Sequence, residues 1–232
     1  MRQRQGTSFI STVDAARFIP GIWDPFAYRT HAETTLGEIA TIRRPRRSRI
    51  SSVLRPLEYR DIPKGAQLTY DLGFDDVTEL QSAFASPGAL LFGTMRAYLG
   101  NVVVTPEFKW LGFAEPLVYP IKSEFVEITP HDSCTYFWWS LLRSPEFCRR
   151  LPLGGGGTRP RLDPDLLAQT PLPQLDPVKI QEIDTRLRSL AKQAWEDYTQ
   201  LMETLRAASD NGHIQTPEAP APHQKLGHMH RL

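Results

Sequence analysis

Two groups of side chains in this chain have the types and spacing to hold a polyanion or to meet polar edges. The first is Thr94, Arg96 and Tyr98, between Gly93 and Gly100, with Asn101 directly after Gly100. A hydroxyl, a guanidinium, a phenol and a carboxamide are donors that suit phosphate oxygens or base edges. An ordinary polar β-turn uses the same residue types, and the chemistry alone does not separate the two. The second group is Arg43, Arg44, Arg46, Arg47 and Arg49, continued by Arg55 and Arg60. Pro45 and Pro56 interrupt it, which predicts a loop or an edge strand and disfavours a helix. Asp71, Asp75, Asp76 and Glu79 follow and are placed to neutralise the arginines, so a solvated loop with no ligand is the alternative.

No constellation points to catalysis. The run Gly154 to Gly157 lacks the lysine of a phosphate-binding loop, and no Gly-x-Ser-x-Gly elbow is present. Asp163-Pro164-Asp165 offers two carboxylates without the following lysine a metal-dependent nuclease would use, and Asp-Pro is usually a turn. Neither an Asn/Asp-Pro-Pro-Tyr/Phe methyltransferase signature nor a glycine-rich cofactor loop is visible. The expectation is a non-catalytic chain without cofactor or metal. Cys134 and Cys148 lie in apolar sequence and read as buried thiols, with a disulfide as the alternative.

The elements that must carry these residues are legible in outline. Ala89 to Phe92 and Asn101 to Val104 are β-rich runs flanking the first group, which makes a hairpin. Pro116 to Tyr119 reads as another strand. Asp132 or Ser133 caps a helix running to Leu142, and its dense aromatics (Tyr136, Phe137, Trp138, Trp139) suit a core better than a stacking platform. After Pro171-Leu172-Pro173, Asp176 as N-cap and Pro177 as first residue open a long helix reaching about Ala208. Ile183, Leu187, Leu190, Ala194, Tyr198, Leu201 and Leu205 follow coiled-coil spacing along it. About 30 residues make a rod of roughly 45 Å, whose apolar seam requires a partner. The proline step favours a helix that projects, and the alternative is one folded back on its own domain.

Composition sets the frame. At 232 residues, with 41% hydrophobic and 23% charged residues, the chain suits one globular domain with appendages. A net charge of +1 means that any affinity for nucleic acid rests on local clusters. The start, Met1-Arg2-Gln3-Arg4, lacks a secretory apolar core, and no run is long enough to span a membrane, so a soluble cytoplasmic protein is expected. The fold class expected is α+β. Residues 1–30 form an N-terminal extension, 31–173 a globular recognition domain, 174–208 the long helix and 209–232 a Pro-, Ala- and His-rich disordered tail.

The order of these pieces resembles a known family. Leu36-Gly37-Glu38-Ile39-Ala40 leads. Pro87-Gly88-Ala89-Leu90-Leu91-Phe92 then runs into Met95-Arg96-Ala97-Tyr98-Leu99-Gly100-Asn101-Val102. The aromatic helix follows with Leu141-Leu142-Arg143-Ser144-Pro145-Glu146-Phe147, then the glycine run, Pro171-Leu172-Pro173 and the long helix. Over about residues 31 to 208 this resembles one half of the DNA-specificity subunit of type I restriction–modification enzymes. Two departures stand out. Val178 lies near where the family often has glutamine, and there is one recognition domain and one helix where full-length subunits have two of each.

The resemblance implies a recognition domain against the major groove of double-stranded DNA. The helix would pair with a second copy in an antiparallel coiled coil, and an adenine-methylating modification subunit, with or without a restriction/translocase subunit, would join. Arg43, Arg44, Arg46, Arg47 and Arg49 would contact phosphates. Thr94, Arg96, Tyr98 and Asn101 would lie at base edges, and Thr158, Arg159 and Arg161 would clamp the backbone. A rod of roughly 45 Å spans about 13 base pairs, so a two-fold dimer would read a palindromic bipartite target. A coiled-coil adaptor or inhibitor that mimics a specificity subunit is the competing expectation, and a cryptic nuclease is disfavoured.

Overall fold

The computed structural model describes residues 34–65, 67–114, 117–152 and 161–210, with the side chains of 75–78, 209 and 210 left out. The N-terminal extension, the glycine run with Thr158 and Arg159, and the tail therefore lie outside the described residues. The fold is α+β, with antiparallel sheets, short helices and one long terminal helix.

Seven strands are described: β1 (Ala40–Arg43), β2 (Arg47–Leu54), β3 (Phe74–Ala85), β4 (Leu90–Gly93), β5 (Val102–Val104), β6 (Tyr119–Ile121) and β7 (Phe125–Pro130). They form a four-stranded sheet in the order β1-β7-β4-β5 and a three-stranded sheet in the order β2-β3-β6. The hairpin expected from the apolar runs is β4–β5, pairing Leu90 with Val104 and Phe92 with Val102. Successive side chains of a strand face opposite ways. Leu90, Phe92, Val102, Val104, Val126 and Ile128 join the core beneath the helices, whereas Leu91, Val103 and Phe125 join the core shared with the second sheet. A strand covered on both faces needs apolar residues at every position, which is why Ala89 to Phe92 is an unbroken apolar run. The predicted strand near Pro116 to Tyr119 forms slightly later, as β6.

Five helices are described: α1 (Leu36–Ile39), α2 (Thr135–Leu142), α3 (Pro145–Cys148), α4 (Pro164–Ala168) and α5 (Pro177–Asp210). The aromatics of α2 are core, with Tyr136, Phe137, Trp138 and Trp139 all buried. Cys134 and Cys148 are buried free thiols, and burial raises the pKa of both. Asp132 does not cap α2 directly. It accepts from the Cys134 amide and the Trp138 indole, and the helix starts later, at Thr135. The start of α5 is as expected: the Asp176 carboxylate accepts the Val178 amide at 3.0 Å.

The expected projecting helix is corrected by the structure. Leu172 donates to Thr34 and Leu36 to Thr170, each at 2.9 Å, so the proline step is pinned to the chain leading into α1. From there α5 lies back along the body. Ile180, Asp184, Ala191 and Trp195 are buried against it, and contacts run to α2 and to the 3-10 turn at Phe108–Leu111. The face that docks is a neighbour of the seam read from heptad spacing. At about 100° per residue the docking residues cluster to one side, and Ile183, Leu190, Leu201 and Leu205 lie next to them, exposed. Leu187 and Tyr198, on the border, pack partly against the body, and Ala194 is half-buried.

Candidate nucleic-acid interface

β1 and β4 both run antiparallel to β7, with Arg43 opposite Glu127 and Gly93 opposite Phe125. Both strands therefore end toward the start of β7. The arginine-rich connection to β2 and the β4–β5 loop leave the same end of the sheet.

Cross-strand pairing sorts the arginines. Arg43 donates to Glu127 at 3.0 Å, and Arg49 lies 3.7 Å from Glu79 on the strand opposite. Arg55 is bound to Asp61 at 2.9 Å and to Asp71 at 3.3 Å, and those hydrogen bonds raise its pKa. Acidic neutralisation of this stretch is thus real but partial. Arg44, Arg46 and Arg47 are exposed, with no carboxylate of the described residues within 4 Å. The prolines act as foreseen: Pro45 falls in the β1–β2 connection, and β2 is an edge strand.

The β4–β5 loop is rigid at its base and open at its tip. Thr94 and Asn101, expected at base edges, are buried. The Thr94 hydroxyl donates to the Glu124 carbonyl at 2.7 Å, and the Asn101 carboxamide accepts from Lys64 at 2.8 Å. Both side chains are consumed in holding the loop. Tyr59 completes the base. Its hydroxyl accepts the Met95 amide at 3.1 Å and donates to the Glu124 carbonyl at 3.2 Å, while its ring stacks on Phe125. Burial pushes the Tyr59 phenol up to about 12. Gly93 is obligatory here, because a Cβ would come within 2.5 Å of the Tyr59 ring.

At the tip, Arg96 has φ 51° and ψ 47°, a left-handed conformation that costs a non-glycine residue roughly 1–2 kcal/mol. The ties at Tyr59, Glu124 and Lys64 sustain it. Arg96, Tyr98 and Leu99 all face solvent, Tyr98 at 45% and Leu99 at 53%. Gly100, at φ 62°, closes the turn against the Arg143 carbonyl. Arg161 bridges to Met95 as an isolated β-pair and lies 3.5 Å from the Glu124 carboxylate, so it borders the same loop.

The residues that sequence reasoning missed are Tyr59, Lys64, Glu124 and Arg143. Arg143 stacks over Trp139 at 4.5 Å and donates to the Pro63 carbonyl at 2.9 Å, which ties the loop base to the end of α2. Each lies far along the chain from the loop it supports, and Arg143 stands in the Leu141–Phe147 motif without any local sign of that role.

Among the described residues no group of three or more His, Cys, Asp or Glu could hold a metal ion, and no helix is long and apolar enough to cross a membrane. No family model matches the chain, and no curated protein matches it. Among solved structures it is similar to the HsdS subunit from Thermoanaerobacter tengcongensis, at 15% identity and a TM-score of 0.32. That match covers 84% of this chain and 48% of the other, so the chain spans about half the length of that neighbour.

Proposed function

We propose that this chain carries one recognition head and one spacer helix of a DNA-specificity subunit of the type I restriction–modification class. The observation that supports this reading most is the shared end of the strands. The β1–β2 connection with Arg44 and Arg46, Arg47 at the start of β2, and a braced loop presenting Arg96 and Tyr98 all leave from the end of the four-stranded sheet where β7 begins. The three arginines have no carboxylate partner among the described residues. The arginines act on phosphates, which gives salt-dependent affinity, and the loop tip meets base edges. Arg161, with Thr158 and Arg159 beside it in sequence, extends the backbone contact.

The head is residues 31–173, and 174–208 is the helix that joins it to a second copy. Ile183, Leu190, Leu201 and Leu205 present an exposed apolar stripe beside the docked face of α5, which suits pairing with an identical helix. Ala194, Leu187 and Tyr198 border the stripe. Two heads held by such a pair would read a bipartite palindrome. An adenine-methylating modification subunit supplies the chemistry, and a restriction/translocase subunit completes a cleaving complex.

The test is a mobility-shift assay with random duplexes across a salt series, with and without an adenine-methylating modification subunit of this class. Salt-sensitive binding that enriches one bipartite sequence is expected. Absence of salt-sensitive duplex binding in both mixtures would overturn the reading. An adaptor that only mimics a specificity subunit would still join the complex, and Arg96→Ala with Tyr98→Ala would change nothing it does. For a specificity subunit that pair abolishes sequence enrichment.

A further inference from the structure

The N-terminus of α2 has no capping side chain of its own. Its N-cap is Cys134, which makes no side-chain cap hydrogen bond. The free amides of Tyr136 and Phe137 are instead met by Asp184 of α5, whose Oδ1 accepts them at 2.7 and 3.1 Å. These are the second and third residues of the helix, the positions an N-cap oxygen ordinarily serves. The cap therefore comes from 48 residues further along the chain. Asp184 is buried, and Arg188 lies 3.7 Å from its other oxygen while stacking over the Tyr136 ring. Further along α5, Trp195 is buried between Tyr70 and Tyr198, and the Tyr198 hydroxyl donates to Asp71 at 3.5 Å. The long helix is thus held to the head at two points about three turns apart.

We propose that Asp184 is a positioning residue that fixes the angle between head and helix, and through it the spacer length of the bipartite target. This rests on the DNA-reading dimer proposed above. The other docked residues, Ile180, Ala191 and Trp195, make apolar contacts that are non-directional, whereas the two amide–carboxylate bonds of Asp184 fix a geometry. α5 has 34 residues, so the rod is roughly 51 Å long. A tilt of about 10° displaces one end relative to the other by about 9 Å, or two to three base pairs at about 3.4 Å each. Rod length by itself cannot then determine spacing; the joint must be stiff as well. A carboxylate buried against two amides supplies that stiffness and tolerates little displacement, because amide–oxygen bonds weaken steeply off their geometry.

The test uses the full chain with its modification subunit and a pool of duplexes whose spacer length is randomised. The wild type is expected to select one spacer length. Asp184→Ala is expected to spread selection over two or more adjacent lengths, with affinity for a single half-site unchanged within twofold, and Asp184→Asn, which keeps an acceptor oxygen, to restore the single length. Spin labels at exposed Ser51 and Gln200 report the joint without DNA, and their distance distribution should broaden in Asp184→Ala. Should that variant fail to fold, Arg188→Ala, on a part-exposed residue, is expected to give the same broadening in weaker form. A sharp wild-type spacer that stays equally sharp in Asp184→Ala or its substitute overturns the latch alone, as does an unchanged label distance. A wild type that selects no bipartite duplex overturns the DNA reading and the spacer role together, while the label distances still judge the joint.

Discussion

Replacing Arg44, Arg46 and Arg47 together by alanine tests the proposed interface most directly, because the structure says how many charges are available. Of the five arginines between residues 43 and 49, Arg43 and Arg49 already face Glu127 and Glu79. Three remain without a carboxylate partner among the described residues. Each phosphate neutralised on duplex DNA contributes about 0.9 to the slope of log affinity against log salt. If all three reach phosphates, the triple variant loses about 2.7 from that slope. Between about 50 and about 200 mM salt the wild type then weakens about 40-fold more than the variant does. The two converge at high salt, because the lost term is counterion release and not base readout. Fluorescence anisotropy with a duplex carrying the selected target measures this. The control is Arg43→Ala with Arg49→Ala, for which the slope should change by less than about one, since those guanidiniums already face the Glu127 and Glu79 carboxylates. An unchanged slope in the triple variant, or an equal loss in the control pair, would refute the assignment of phosphate contacts to this loop.

Other outcomes follow from the packing. Leu190→Asp with Leu201→Asp places charge on the free stripe and should convert dimers to monomers by light scattering, with circular dichroism unchanged; surviving dimers would put the interface elsewhere. Trp195→Ala empties a site only 1% exposed and should cost about 3–5 kcal/mol in urea unfolding; a loss below about 1 kcal/mol would mean that α5 is not docked there. The buried phenols give a pH signature. Tyr59 is raised to about 12, and burial raises Tyr119 and Tyr136 as well, against about 10 in an unfolded chain. Their contribution is fully present below about pH 10 and declines above it, because the unfolded chain releases phenolic protons that the native chain keeps. Melting temperatures followed with phenolate absorbance should show this decline, and native tyrosines that all ionise near pH 10 would contradict the burial.

Where the fold was legible, the signals were local. The β4–β5 hairpin follows from two apolar runs closed by glycines, and the steric demand at Gly93 explains one of them. The aromatic helix was recognisable as core because side chains of that size must be covered. Asp176 and Pro177 marked the start of α5 because capping depends on neighbours two and three residues away. Even the edge character of the arginine stretch was visible, through prolines that cannot donate to a ladder.

The interface was legible in kind and not in detail. Sequence alone determined that this chain would carry a basic loop, a polar hairpin tip and a long amphipathic helix, since residue type, turn chemistry and periodicity act over a few positions. Tertiary structure alone decided which members of each set are free. Glu127 occupies Arg43 from 84 residues away, Lys64 occupies Asn101 from 37, and Asp184 reaches α2 from 48. The same holds for α5, whose apolar arc is wide enough to serve two faces. Heptad spacing shows that such an arc must be buried, but which side meets the body depends on where Trp195 and Asp184 find their pockets, and those are built from distant segments.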